Sequence, residues 1–149
     1  MRRLVLLGCA VLLVGCAKRE GGEAADTMAA APAAMLSGAD LAGTWAVRAM
    51  AENSDSVLVT YELTATGTTD GWTFTFPTRP PIPLRVQIAG DSVMIGGGPY
   101  ESALRPGVQV TTEGVGRIMD GKLVGTTVAH YSTGADSVLR LRFEGTRKP

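Results

Sequence analysis

Cysteine is nearly missing from this chain: of 149 residues two are cysteine, Cys9 and Cys16, and nothing beyond them can be stapled by a disulfide. A fold beyond Cys16 must be held by packing alone, and neither a thiolate metal cage nor a Cys–His pair can be assembled there. Histidine is scarcer still. His130 stands alone, which excludes a multi-histidine metal centre, and no nucleophile elbow joins it and Asp136 to a serine as a triad. Net charge is absent, with 14 bases against 14 acids, and from Asp40 to Pro149 eleven acids face ten bases. With no basic patch and no acidic tail, the chain has no electrostatic means of holding nucleic acid. The apolar run from Leu4 to Val14 is too short to cross a bilayer, which takes about 20 residues.

That short run has a different use. Arg2 and Arg3 form a positive start, Leu4 to Val14 an apolar middle, and small residues precede Cys16, the layout of a secretory signal. Leu13-Val14-Gly15-Cys16 resembles the lipobox of bacterial lipoproteins. The resemblance implies that the Cys16 thiol receives a diacylglyceryl group, that cleavage follows before Cys16, and that two or three acyl chains hold the mature N-terminus in a membrane. Ala17 after the cysteine implies, by the same likeness, the outer membrane with the protein facing the periplasm. Residues 1–15 are then signal peptide, residues 16–39 the lipidated cysteine and a linker, and residues 40–149 the folded domain. The linker is rich in Ala with Gly21, Gly22 and Pro32, lacks aromatics, and reads as a flexible tether.

After Asp40 the texture turns to Thr, Val and aromatic residues in short runs with period-two alternation. Trp45, Val47 and Ala49 share a face of a first strand; Val57, Val59, Tyr61 and Leu63 of a second; Trp72, Phe74 and Phe76 of a third; Leu84, Val86 and Ile88 of a fourth. A fifth strand runs from Ser92 to Leu104 through a bulge at Gly96-Gly97-Gly98-Pro99. A sixth covers Val108 to Met119, Asp120-Gly121 makes a tight turn, and strands from Lys122 to Tyr131 and Ser137 to Thr146 complete eight. Asp-Ser-Val recurs at Asp55, Asp91 and Asp136, each time as turn chemistry releasing a strand. The expected fold is therefore all-β, an antiparallel up-and-down meander of about eight strands, closed into a barrel because closure removes the edges a flat sheet exposes.

In a meander alternate links share one rim. Those after strands one, three, five and seven include Ala51 to Asp55, Pro77 to Pro83 and Ser132 to Asp136 and make a loopy end, whereas Ala89-Gly90-Asp91 and Asp120-Gly121 lace the other rim shut. Asp40-Leu41-Ala42-Gly43-Thr44-Trp45 resembles the Gly-x-Trp opening of lipocalin-type barrels. The likeness implies that Trp45 plugs the closed end and that an arginine of the last strand packs across it; Arg147 has the parity for this, with Arg142 as the alternative.

The long-looped end offers Arg79, Tyr100, Glu101, His130 and Tyr131 as the lining of a mouth. Apolar residues on both faces of the seventh strand leave the inward choice between His130 and Tyr131 open. Pro77 to Pro83 reads as a stiff loop on that rim, able to act as a lid. Two functions are expected from such an envelope-tethered, monomeric, non-enzymatic domain without metal or cofactor. One is capture of a small apolar ligand or lipid in the barrel. The other is a protein-interaction module with a filled core, an envelope assembly factor or an inhibitor of a periplasmic hydrolase.

Overall fold

The computed structural model describes residues 35–149; the signal segment, Cys16 and the linker to residue 34 lie outside the described residues. Eight antiparallel strands follow in order: β1 (Gly43–Ala51), β2 (Val57–Ala65), β3 (Thr73–Thr75), β4 (Ile82–Ala89), β5 (Ser92–Glu101), β6 (Gln109–Met119), β7 (Lys122–Tyr131) and β8 (Val138–Arg147). Each pairs with the next and β8 pairs with β1, so the sheet closes into a barrel with up-and-down order, as the alternation predicts.

Three strands depart from expectation. β5 stops at Glu101 rather than Leu104, because the Ser102 hydroxyl accepts from the Leu104 and Arg105 amides and turns the chain. β3 keeps three residues, Thr73–Thr75, although Trp72 and Phe76 on either side are buried as expected. In β2 the register shifts so that Met50 pairs with Val57 and Ala49 with Val59, leaving Leu58 over; Val57, expected inside, is 44% exposed. The bulge expected in β5 is present as a register shift between Gly97 and Tyr100.

A helix that the alternation did not reveal opens the folded part. α1 (Gly38–Leu41) is capped by Ser37, whose hydroxyl accepts from the Asp40 amide while the Asp40 carboxylate accepts from the Ser37 amide at 2.9 Å. Leu36 packs on the core and its amide bonds to Gly90 O at 2.8 Å, so the ordered part begins ahead of Asp40, within residues assigned above to the linker.

The barrel is filled by pairing large inward side chains with inward glycines. Phe143 of β8 reaches over Gly116 and Gly125, and the side chain of Thr127 lies against Gly114. Around them pack Val47, Leu63, Phe74, Phe76, Ile95 and Leu141.

Candidate functional site

The closed end is built around Trp45. Its indole is buried and its Nε1 donates to Leu41 O at 2.8 Å, so α1 and β1 are tied at the plug. The Arg147 guanidinium lies over the ring, Cζ 4.3 Å from the centroid, and donates to Ala42 O and, at 2.6 Å, to Asp40 O. Arg142, the alternative, is at the opposite end. The link from Thr66 to Trp72 folds over the plug, with Trp72 Nε1 donating to Thr68 O at 2.8 Å.

At the other end, arginines fasten the long links to one another. Arg142 of β8 donates to Ser54 O at 3.0 Å and to the Asp55 carboxylate, holding the β1–β2 link. Arg105 in the β5–β6 link donates to Asp136 O at 2.8 Å and lies 3.9 Å over the Tyr131 ring, holding the β7–β8 link. Arg79 in the β3–β4 link donates to Glu101 O at 2.6 Å and Ser102 O at 3.3 Å. Among the described residues no hydrogen bond or ion pair joins the β3–β4 link to the β1–β2 link, and the ring of fastenings is interrupted there.

The five residues expected to line a mouth are thereby separated. Arg79, Tyr100 and Glu101 meet in a shallow groove of about 300 Å³ with Pro80 and Ile82. Tyr131 turns inward and packs with Val110 and Ala129 in a small second core. His130 turns outward on β7, exposed between Thr111 and Val138, which resolves the choice left open by the sequence.

The interior behind them is nearly full. A cavity of about 40 Å³ lies there, bounded by an aromatic cluster in which Tyr61 stands 4.8 Å from Phe74 and 5.5 Å from Phe76, and Phe76 5.9 Å from Tyr100. Burial pushes the Tyr61 phenol well above the ordinary tyrosine range, with Tyr100 adding repulsion. Burial also raises Tyr100, the Thr112 hydroxyl beside it pulling the other way.

The interrupted part of the rim is a seam in the wall. β2 is paired with β3 only over Glu62–Thr64, so Val57–Tyr61 has β1 on one side and no strand on the other. The reason is chemical: the chain turns where Arg79 N donates to Phe76 O at 3.2 Å, and continuing the register would set Pro77, which has no N–H to give, against β2. A groove of about 550 Å³ follows the seam, with Thr60, Tyr61 and Glu62 on one wall and Phe76, Pro77 and Arg79 on the other. Thr78, on the same wall, holds φ at 63°, a left-handed conformation costly for a β-branched residue. Val57 and Leu58 are exposed at the seam's mouth. A signal for the seam was in the sequence, as Pro77 stands where a third strand needs a donor.

Comparison with known proteins adds no relative: no family model, no curated protein and no solved structure matches the chain.

Proposed function

We propose that the protein is an envelope-anchored, non-enzymatic interaction module, its lipocalin-like barrel serving as scaffold rather than container, and that a protein partner engages it along the seam beside β2. The interior volume carries this reading. Ligand sites run to about 300 Å³ and more, and the barrel offers about 40 Å³, so a fatty acid or hydrophobic metabolite would have to evict core aromatics. The seam supplies backbone groups without a neighbouring strand, and an extended partner segment can add one there. An assembly factor and an inhibitor of a periplasmic hydrolase both fit such a mode.

Leu36 and α1 sit at the closed end, beside Gly90 and Arg147. A leash from a lipidated Cys16 would join the barrel at that end and not at the fastened rim.

The test is photo-cross-linking in intact envelopes with the reactive side chain at Leu58, and at Thr126 on the opposite wall as control. A discrete adduct from Leu58 alone is expected, together with no change in melting temperature against a panel of fatty acids. A rise of several degrees with a fatty acid, and no adduct from Leu58, would overturn the scaffold reading in favour of ligand capture.

A further inference from the structure

Inside the barrel one hydroxyl lacks a well-formed bond. Thr112 of β6 turns inward and is 8% exposed, yet no group meets its Oγ1 in hydrogen-bond geometry, the adjacent Tyr100 phenol included. It borders the cavity of about 40 Å³, where Tyr61, Tyr100 and Thr127 supply the other polar atoms and the remaining wall is apolar.

The space has a local origin. β5 slips register between Gly97 and Tyr100, directly across from Val110–Thr112, so the wall is displaced where Thr112 turns in. Gly97, paired with Thr112, has no Cβ; one placed there would lie 3.3 Å from Thr112 Oγ1 and 2.9 Å from Leu84 Cδ2. Leu84 and Phe74 fill the place of the missing Cβ, and the register slip alone leaves space beside the hydroxyl.

Apolar voids of this size stay dry, and a dry one would suit valine, which has threonine's shape without the cost of a stranded hydroxyl. A void with polar atoms on its wall behaves differently. A water needs at least about 10–15 Å³ of accessible space and two to four hydrogen-bonding partners, and here the space is about 40 Å³ with hydroxyls on four strands, β2, β5, β6 and β7. We infer that one ordered water molecule is bound in the middle of the barrel, bridging Thr112 Oγ1 to the hydroxyls of Tyr61 and Tyr100. The water replaces the contact that the displaced β5 wall cannot make, and it gives the two buried phenols a shared partner.

The site is read out by water–protein Overhauser spectroscopy on the full chain in detergent, with the Thr112 and Val110 methyl groups assigned. Cross-peaks from bound water to the Thr112 methyl and to the Tyr100 ring are expected; the ring cross-peak is retained in Thr112→Ser and lost in Thr112→Val. Melting gives an independent sign: with the water in place Thr112→Val lowers the melting temperature, because the water loses a partner and the phenols lose the water. A folded native protein with no such cross-peak, or a Thr112→Val variant that melts higher than the native chain, overturns the proposal. Should Thr112→Val fail to fold, the cross-peak in the native chain decides alone.

Discussion

The ring of Phe143 lies against the bare backbone of Gly125, so close that a Cβ on that glycine would stand 2.7 Å from Phe143 Cζ. The same ring covers Gly116, where a Cβ would meet it at 3.0 Å. An eight-stranded barrel has an interior that side chains can just fill, and here one phenyl ring crosses onto two neighbouring strands that give up their side chains for it. Gly116→Ala, where the ring is the nearest neighbour of the added Cβ, should therefore cost about 1–3 kcal/mol, the range for forcing atoms into a packed core. Gly145→Ala is the control, since a Cβ there meets nothing nearer than 3.4 Å. Urea unfolding of the two variants checks the difference; equal stabilities would mean that the ring does not fill the barrel.

Trp45 and Arg147 close the far end as a unit. Trp45→Ala should cost about 3–5 kcal/mol, as removal of a buried aromatic does. Arg147→Ala should cost less, because the stack contributes about 0.5–2 kcal/mol and its bonds to Ala42 O and Asp40 O are exposed. A double-mutant cycle in urea should return a coupling energy above zero, since the guanidinium has no ring to cover once the indole is gone. Loss of under 1 kcal/mol for Trp45→Ala would place the indole outside the load of the core.

Much of this architecture is legible in the chain itself. Period-two alternation marks eight strands and their order, and the contrast of long links with Gly90 and Asp120-Gly121 turns separates the two ends. Parity even places Arg147 beside Trp45. What the alternation hides is whatever depends on register between strands. One extra residue, Leu58, turns Val57 out of its expected face, and β7 could have presented either His130 or Tyr131 until pairing with β6 set Tyr131 opposite inward Val110. Inward glycines are likewise invisible until the strand across them is known. The fastenings by Arg79, Arg105 and Arg142 join residues 22 to 88 positions apart, so no local pattern announces them. Ser37-x-x-Asp40 was a readable capping box, overshadowed by the Ala-rich composition before it.

Stability should fall at both extremes of pH for identifiable reasons. The Tyr61 phenol is raised above its ordinary value of 10.0 by burial, so its contribution is complete below that value and is lost as pH rises beyond it, when the unfolded chain ionises and the folded one resists. Tyr61→Phe should flatten the alkaline limb of a melting-temperature profile. At the acid end Glu144 bridges Lys122 at 3.1 Å and Arg48 at 3.0 Å, and hydrogen bonds from those two cations lower its pKa below 4.5. Its contribution is present above 4.5 and disappears as pH falls through the lowered folded value; being exposed, it is small. Glu144→Gln should flatten the acid limb slightly and leave the alkaline limb unchanged.

The proposed anchor at Cys16 has a direct consequence. Cys16→Ser should abolish incorporation of labelled palmitate and leave the signal segment uncleaved, visible as a slower-migrating band on a gel. Labelling that persists in that variant would place the acyl group elsewhere.

Hydrogen exchange reads the seam without any partner. Along Val57–Tyr61 alternate backbone amides point to β1 and to the seam, whereas Glu62–Thr64 has β1 on one side and β3 on the other. Amides facing the seam should exchange far faster than their β1-facing neighbours, because nothing in the chain bonds them. Restoring the donor that faces β2 by Pro77→Thr should let the wall zip further, slow those same amides and suppress the Leu58 adduct, all without touching β2. If the seam-facing amides of the native chain are already as slow as those of Glu62–Thr64, the wall is closed there and a partner strand has no edge to join.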